Sequence, residues 1–175
     1  MEFKDLAASR RSTRKYQETH ISEEEINELI TFIRNAPSWK NLQPARYYAA
    51  ISDEAIEAVR NALPGFNQNS SANAAYIVSS FKKGLSGSLS EGQMDEAGDL
   101  WGAYDLGLQN AYLILEAREM GYDTLIMGIR DTDAIRKYFA IPEDEIILPV
   151  IAIGKRNEDP AMRPRKEVKE ILKVK

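Results

Sequence analysis

Ala36-Pro37-Ser38-Trp39-Lys40-Asn41-Leu42-Gln43-Pro44 sets amide and hydroxyl side chains between two prolines. Proline fixes its own φ and restricts the residue before it, so this loop is stiff. The Asn41 and Gln43 amides each present a donor beside an acceptor, a pairing suited to the edge of a heteroaromatic ring. Taken alone, the run reads equally well as a helix-terminating loop whose Asn41 bonds nearby backbone. Just upstream, Ser22 with Glu25 three residues on forms a capping box, and Ile26, Leu29, Ile30 and Ile33 recur at helical spacing. That pattern predicts an amphipathic helix that stops near Ala36, before Pro37.

Downstream of the loop, residues 46–51 read as a short strand. Residues 53–63 read as a helix with Ile56, Val59 and Leu63 inward, ended by Pro64-Gly65. Residues 67–73 are polar and predict a loop, and 76–81 a second strand. Residues 83–98 are rich in Gly, Ser and acidic side chains, which predicts a partly mobile segment. The longest helical candidate, 100–120, has Leu106, Ala111, Leu113, Ile114 and Leu115 and little polar face in its middle, so it belongs in the core or at an interface. Gly121 is its expected cap, and a strand over 123–127 leads to Gly128. A helix over 132–139 follows, then the nearly all-apolar run 146–153, a strand buried on both faces. Alternating helices and strands predict a three-layer α/β arrangement, with strand direction left open by periodicity.

A chain of 175 residues with 43% hydrophobic content supports one core, hence a single domain over 1–175. The net charge of -4 argues against a nucleic-acid partner, which ordinarily demands a basic face. There is no cysteine and only one histidine, His20, so neither a disulfide nor a thiolate or histidine metal centre is expected. Redox chemistry here would need an organic cofactor. No stretch approaches the roughly eighteen apolar residues of a membrane helix, and no leader pattern opens the chain, so a soluble cytoplasmic protein is expected.

Upstream of the loop, Arg10-Arg11-Ser12-Thr13-Arg14 follows a short amphipathic helix over 3–8. Guanidinium forks match phosphate and carbonyl oxygens. Alone, such a run is more commonly a solvated basic turn. Together, the two segments resemble the FMN-dependent nitroreductase family, which carries Arg-Arg-Ser-x-Arg near its start and Ala-Pro-Ser-x-x-Asn-x-Gln-Pro after it in the same order. The resemblance continues through Tyr104-Asp105-Leu106-Gly107-Leu108-Gln109-Asn110, Gly121-Tyr122-Asp123-Thr124, Gly128 and Ile151-Ala152-Ile153-Gly154. Ala45 stands where most relatives have Trp after Gln-Pro.

The resemblance implies an α+β fold, a three-layer α/β/α sandwich with a mostly antiparallel central sheet. It also implies a homodimer, with the basic tail 155–175 packing on the partner subunit. Bound FMN would be reduced by NADH or NADPH and reoxidised by a small-molecule acceptor such as a nitroaromatic or quinone. Carried over by position, Arg10 faces the flavin phosphate, and Ser12 and Arg14 face the ribityl chain and the pyrimidine edge; Arg11 counts among the cofactor-binding residues without a specific part assigned. A fixed cation at Arg14 favours the negative charge of the reduced ring. Arg163 and Arg165 fall where relatives place two basic residues on the phosphate, with Lys155 and Arg156 as substitutes. Pro37, Ser38, Trp39, Asn41 and Gln43 contact a flavin bound mainly to the other subunit. Met127, Gly128 and Ile129 lie beside the ring, with a backbone N–H of Gly128 or Ile129 aimed at N5. Asn67 or Asn69 reaches the ring from the polar loop. Residues 83–98, with Trp101 and Tyr104 beyond them, are expected to shape the acceptor site.

Rival readings stand beside this one. Relatives dehalogenate tyrosine derivatives, fragment flavin or oxidise cyclic peptides. A flavin carrier without turnover would keep the arginines but lack an open face above the ring. Nucleic-acid binding by the arginine run is disfavoured by overall acidity and the lack of interleaved aromatics.

Overall fold

The computed structural model describes residues 2–18, 20–90 and 92–175. Chain order is α1 (Phe3–Ser9), α2 (Glu23–Ile33), β1 (Ala45–Ala50), α3 (Asp53–Asn61), α4 (Gly65–Ser70), β2 (Ala75–Lys82), α5 (Leu100–Glu119), β3 (Asp123–Met127), α6 (Thr132–Phe139), β4 (Glu145–Gly154) and α7 (Val168–Ile171). Local chemistry sets the starts of the main helices. At α2 the Ser22 hydroxyl accepts from the Glu25 N–H and the Glu25 carboxylate accepts from the Ser22 N–H, the reciprocal box expected. Ser52 and Asp131 cap α3 and α6 through side-chain oxygens that accept from Ala55 and Ala134. Gly121 follows α5 at φ 89°, a left-handed conformation that costs glycine little.

The four strands form one sheet in the order β1-β2-β4-β3, antiparallel at every pairing. Side chains alternate across it. Tyr76, Val78, Leu125, Met127, Val150 and Ala152 pack toward Val59 and Ile135 of α3 and α6. Ile77, Ile151 and Ile153 pack toward Leu29, Ile33, Leu113 and Ala117 of α2 and α5. A period of two thus buries both faces, and the result is the expected α/β/α sandwich. The apolar run in β4 reports that both faces are covered. It carries no information about direction, since an antiparallel strand covered on both sides reads like a parallel one.

One sequence expectation is corrected. Residues 67–73 do not form a loop throughout; α4 occupies Gly65–Ser70. Asn, Ser and Gly are poor helix formers, so propensity argues against it. Side-chain bonds outweigh that preference, one long-range and two local: the buried Asn67 amide donates to the Ile129 carbonyl, Gln68 Nε2 to the Leu63 carbonyl and Ser71 Oγ to the Asn67 carbonyl. Among the described residues no helix is long and apolar enough to cross a membrane.

Candidate functional site: an arginine-lined cleft and a strained loop at opposite ends of the sheet

Residues 12–17 run between the start of β3 and the chain leaving β4. Ser12 bridges Thr124 in parallel, Tyr16 bridges Arg156 in antiparallel fashion, and the Thr13 N–H donates to the Thr124 carbonyl at 3.1 Å. The Gln17 N–H donates to Lys155 and the Asn157 N–H to Lys15, which draws the C-terminal segment alongside. A cleft of about 370 Å³ results, lined by Arg10, Ser12, Arg14, Glu158, Arg163 and Arg165 among others. Six of the residues inferred for cofactor binding, Arg11 included, therefore meet in one place.

Their roles within the cleft differ. Arg11 is engaged with the backbone: Nε donates to the Pro160 carbonyl, and Nη1 to the Ala8 and Arg10 carbonyls. It ties the returning tail to the end of α1. Arg10 makes no such set of bonds among the described residues, and burial together with the like charges of Arg165 and Arg11 pushes its pKa down. A cluster of like charges held together in this way favours an anion between them. Arg14 is exposed; its Nη1 donates to the Ser12 carbonyl at 3.2 Å, and its backbone N–H donates to the Glu158 carboxylate. Sequence reasoning missed Glu158, because nothing near it in the chain marks it out. The substitutes fare differently: Arg156 faces Asp123 at 3.7 Å and Asp159 at 3.8 Å. Asp123 is buried and also pairs with Arg118 at 3.2 Å, yet burial outweighs both cations and raises its pKa.

At the other end of β3 the chain turns through Gly128 and Ile129 into α6. Ile129 is 63% exposed, and a Cβ on Gly128 would meet nothing within 4 Å. Arg130 fastens this turn by donating to the Gly128 and Ile147 carbonyls, a brace not singled out from sequence. Two inferred ligands are placed otherwise than expected. The Met127 side chain lies in the core on the α6 side, because the strand period turns it inward, so only its backbone is available to a ligand. Asn67 is buried with its amide on Ile129, so it acts first on the turn; Asn69 is exposed.

The Pro37 to Pro44 loop sits elsewhere. Trp39–Asn41 form one 3-10 turn, and Lys40, Asn41 and Gln43 all have positive φ, at 46°, 58° and 48°. Three left-handed residues other than glycine within four positions store strain that the surroundings must hold. Ser38 Oγ accepts from the Gln43 N–H at 3.0 Å, and the Trp39 N–H donates to Asp105 Oδ2 at 2.9 Å. Trp39 Nε1 and Lys40 Nζ donate to the Ser88 carbonyl, and Lys40 Nζ also to that of Leu89. The Trp39 and Trp101 ring centroids lie 4.9 Å apart, so the indole packs inward while Asn41 and Gln43 stay exposed. The described part of 83–98 folds back here, with Ser88 bridging Met94 and the Asp95 N–H donating to the Gly87 carbonyl. Glu91 of this segment lies outside the described residues.

Within one chain the loop and the cleft do not meet. The loop leads into Ala45, paired through Phe81 to Ile146 at one end of β4. The cleft borders Thr124, paired to Ile153 at the other. At about 3.3 Å per residue these positions are separated by roughly 23 Å along the strand. A third surface lies between. Helix α5 turns Leu106 and Leu113 inward but exposes Tyr104, Gly107 and Ala111, and beside it Ile126 on β3 is 51% exposed. The groove there holds about 280 Å³ and is lined by Ala103, Gly107, Ala111, Ile114, Ile126 and Leu148 with little polar surface.

Residues 7–155 match the family model described as "Nitroreductase family". The chain is 28% identical to "Putative NAD(P)H nitroreductase MhqN" of Bacillus subtilis over 94% of its own length and 93% of that protein. It is 24% identical to "Putative NADH dehydrogenase/NAD(P)H nitroreductase" of Methanothermobacter thermautotrophicus, covering 93% of this chain and 82% of the other. Among solved structures it superposes on a putative nitroreductase in complex with FMN from Exiguobacterium sibiricum with a TM-score of 0.86 and 25% identity, over 100% of this chain and 98% of that one.

Proposed function

This chain belongs to the nitroreductase family, and from that premise we propose that it is an FMN-dependent oxidoreductase working as a homodimer, with residues 1–175 as one domain and the tail 155–175 against the partner. The observation that carries the reading is the cleft where Arg10, Arg14, Arg163 and Arg165 converge at the start of β3, together with the open turn at Gly128 at the far end of that strand. The residues fit the cofactor: Arg10 is held against like charges as a dianionic phosphate would require, and the space over Gly128 is clear of side chains. When bound, FMN supplies two-electron transfer from NADH or NADPH to a nitroaromatic, quinone or similar small-molecule acceptor in a ping-pong cycle.

The chain's own task is binding and electrostatics. Arg10, Arg163 and Arg165 grip the phosphate, and Ser12 bonds the sugar chain. Arg14 holds a fixed positive charge at the pyrimidine edge, where negative charge grows on reduction. The backbone N–H of Gly128 or Ile129 presents a donor to the ring's central edge. Ser38, Asn41 and Gln43, too far from the cleft of their own chain, reach the site of the partner across the exposed α5 face. No side chain is assigned as an essential acid or base.

An absorption spectrum of the purified protein tests the cofactor, with flavin bands near equimolar stoichiometry expected. Anaerobic NADH or NADPH should bleach them, and a nitroaromatic or quinone should restore them. A colourless protein that FMN does not reconstitute refutes the reading. The assembly has its own test: Ala111→Arg on the exposed α5 face should give a monomer in sedimentation and lose FMN with the partner loop. A monomeric protein that retains FMN refutes the shared site.

A further inference from the structure

Asp105 is 4% exposed, and no salt bridge among the described residues reaches it. A buried carboxylate without a cation is costly, and hydrogen bonds must offset it. Among the described residues two bonds reach it, and both end on one oxygen, Oδ2. One comes from the backbone N–H of Trp39 at 2.9 Å, in the strained loop; the other comes from Ser86 Oγ at 2.6 Å, in the segment over the end of α5. Those two stretches also touch through Trp39 Nε1 and Lys40 Nζ on the Ser88 carbonyl, but among the described residues Asp105 is the one buried group that accepts a hydrogen bond from both.

We propose that Asp105 is a positioning residue that clamps the cofactor-facing loop to the acceptor-side segment, so that the two keep one joint arrangement. The proposal rests on the reading of these stretches as flavin-facing and acceptor-shaping. Its physical basis is that Lys40, Asn41 and Gln43 sit in left-handed conformations that relax unless a neighbour holds the turn. A charged acceptor on the Trp39 N–H supplies that hold, and the same oxygen fixes the distance to Ser86. Loosening it should therefore release both stretches while leaving the sheet intact.

The test compares Asp105→Ala, Asp105→Asn and Ser86→Ala in the full chain. Amide hydrogen exchange over residues 36–44 and 84–89 and the far-ultraviolet couplet of the Trp39–Trp101 pair are read without added flavin; acceptor kcat and KM are read with it. In Asp105→Ala, protection in both stretches should fall about tenfold or more with the β2 and β4 amides unchanged, and the couplet should weaken. Acceptor KM should rise about fivefold or more, with kcat within about threefold. Asp105→Asn keeps a carbonyl oxygen able to accept both bonds and should recover most of each effect. Ser86→Ala should loosen 84–89 and leave 36–44 protected, and it carries the test with the Asn variant if the Ala variant does not fold.

Unchanged protection over 36–44 in Asp105→Ala overturns the proposal, as does an Asn variant that behaves like the Ala variant. Uniform loss of protection across the chain overturns it too. If the exchange pattern appears as expected but the wild-type protein binds no flavin, the clamp stands and the proposed cofactor falls.

Discussion

Replacing Arg165 by Ala separates a ligand site from a structural cluster, because the two make opposite predictions for the flavin-free protein. Arg165 is a like charge near Arg10 and depresses its pKa alongside burial, so its removal relieves repulsion in the empty cleft. Thermal stability without flavin should hold or rise. With FMN bound, one charge-assisted bond to phosphate is lost, a net loss of about 1.5–3 kcal/mol. The cleft is open to solvent and screened by salt, which places the effect at the low end, roughly a tenfold rise in Kd. Quenching of FMN fluorescence at low and physiological ionic strength reads the affinity, and a melt of flavin-free protein reads the stability. The difference between wild type and variant should shrink as salt rises. A variant that melts several degrees lower without flavin, or binds FMN within about twofold of wild type at low salt, refutes the reasoning.

Arg14→Ala should lower the flavin potential by about 30 mV for each tenfold loss of preference for the reduced ring, with a smaller effect on FMN affinity; Arg10→Ala should do the reverse, and redox titration beside binding titration separates them. A Cβ at Gly102 would lie 2.3 and 2.5 Å from Cδ2 and Cε2 of the buried Phe81 ring. Gly102→Ala should therefore cost about 1–2 kcal/mol in urea unfolding despite its gain in helix propensity, and equal or greater stability would contradict the packing described. Glu25 accepts from the Tyr122 hydroxyl at 2.6 Å and from the Ser22 N–H, and these bonds lower its pKa. Its contribution is present above the usual carboxylate range and is lost as pH falls through the lowered value, so Glu25→Gln should flatten the acid limb of stability against pH.

Much of this architecture was legible because its determinants are local. The Ser22 and Glu25 box, the spacing of Ile26, Leu29 and Ile33, and Gly121 after α5 each act within one or two turns. The helix α4 was not legible. Its long-range bond runs from Asn67 to Ile129, and Asn67 cannot reveal from its neighbours that this distant carbonyl awaits it. Met127 illustrates the same limit: its position beside Gly128 is visible in the chain, but which face of β3 it occupies depends on register.

The arginine run and the proline-bounded loop offer suitable chemistry, since guanidinium forks and amide edges bring their preferences with them. Each alone reads as well or better as an ordinary turn, and it is the family resemblance of the two together that gives them a function. That Arg163 and Arg165 meet Arg10 is expected only through the family resemblance; residue type and spacing by themselves say neither this nor that the loop lies at the far end of β4. Nor do they say that Asp105, one residue in a helical pattern, ends under both the loop and Ser86. Those relations depend on antiparallel register and on burial, which arise from pairings between distant segments. Local patterns specify each element's faces, and the packing of the whole sheet decides which residues those faces bring together.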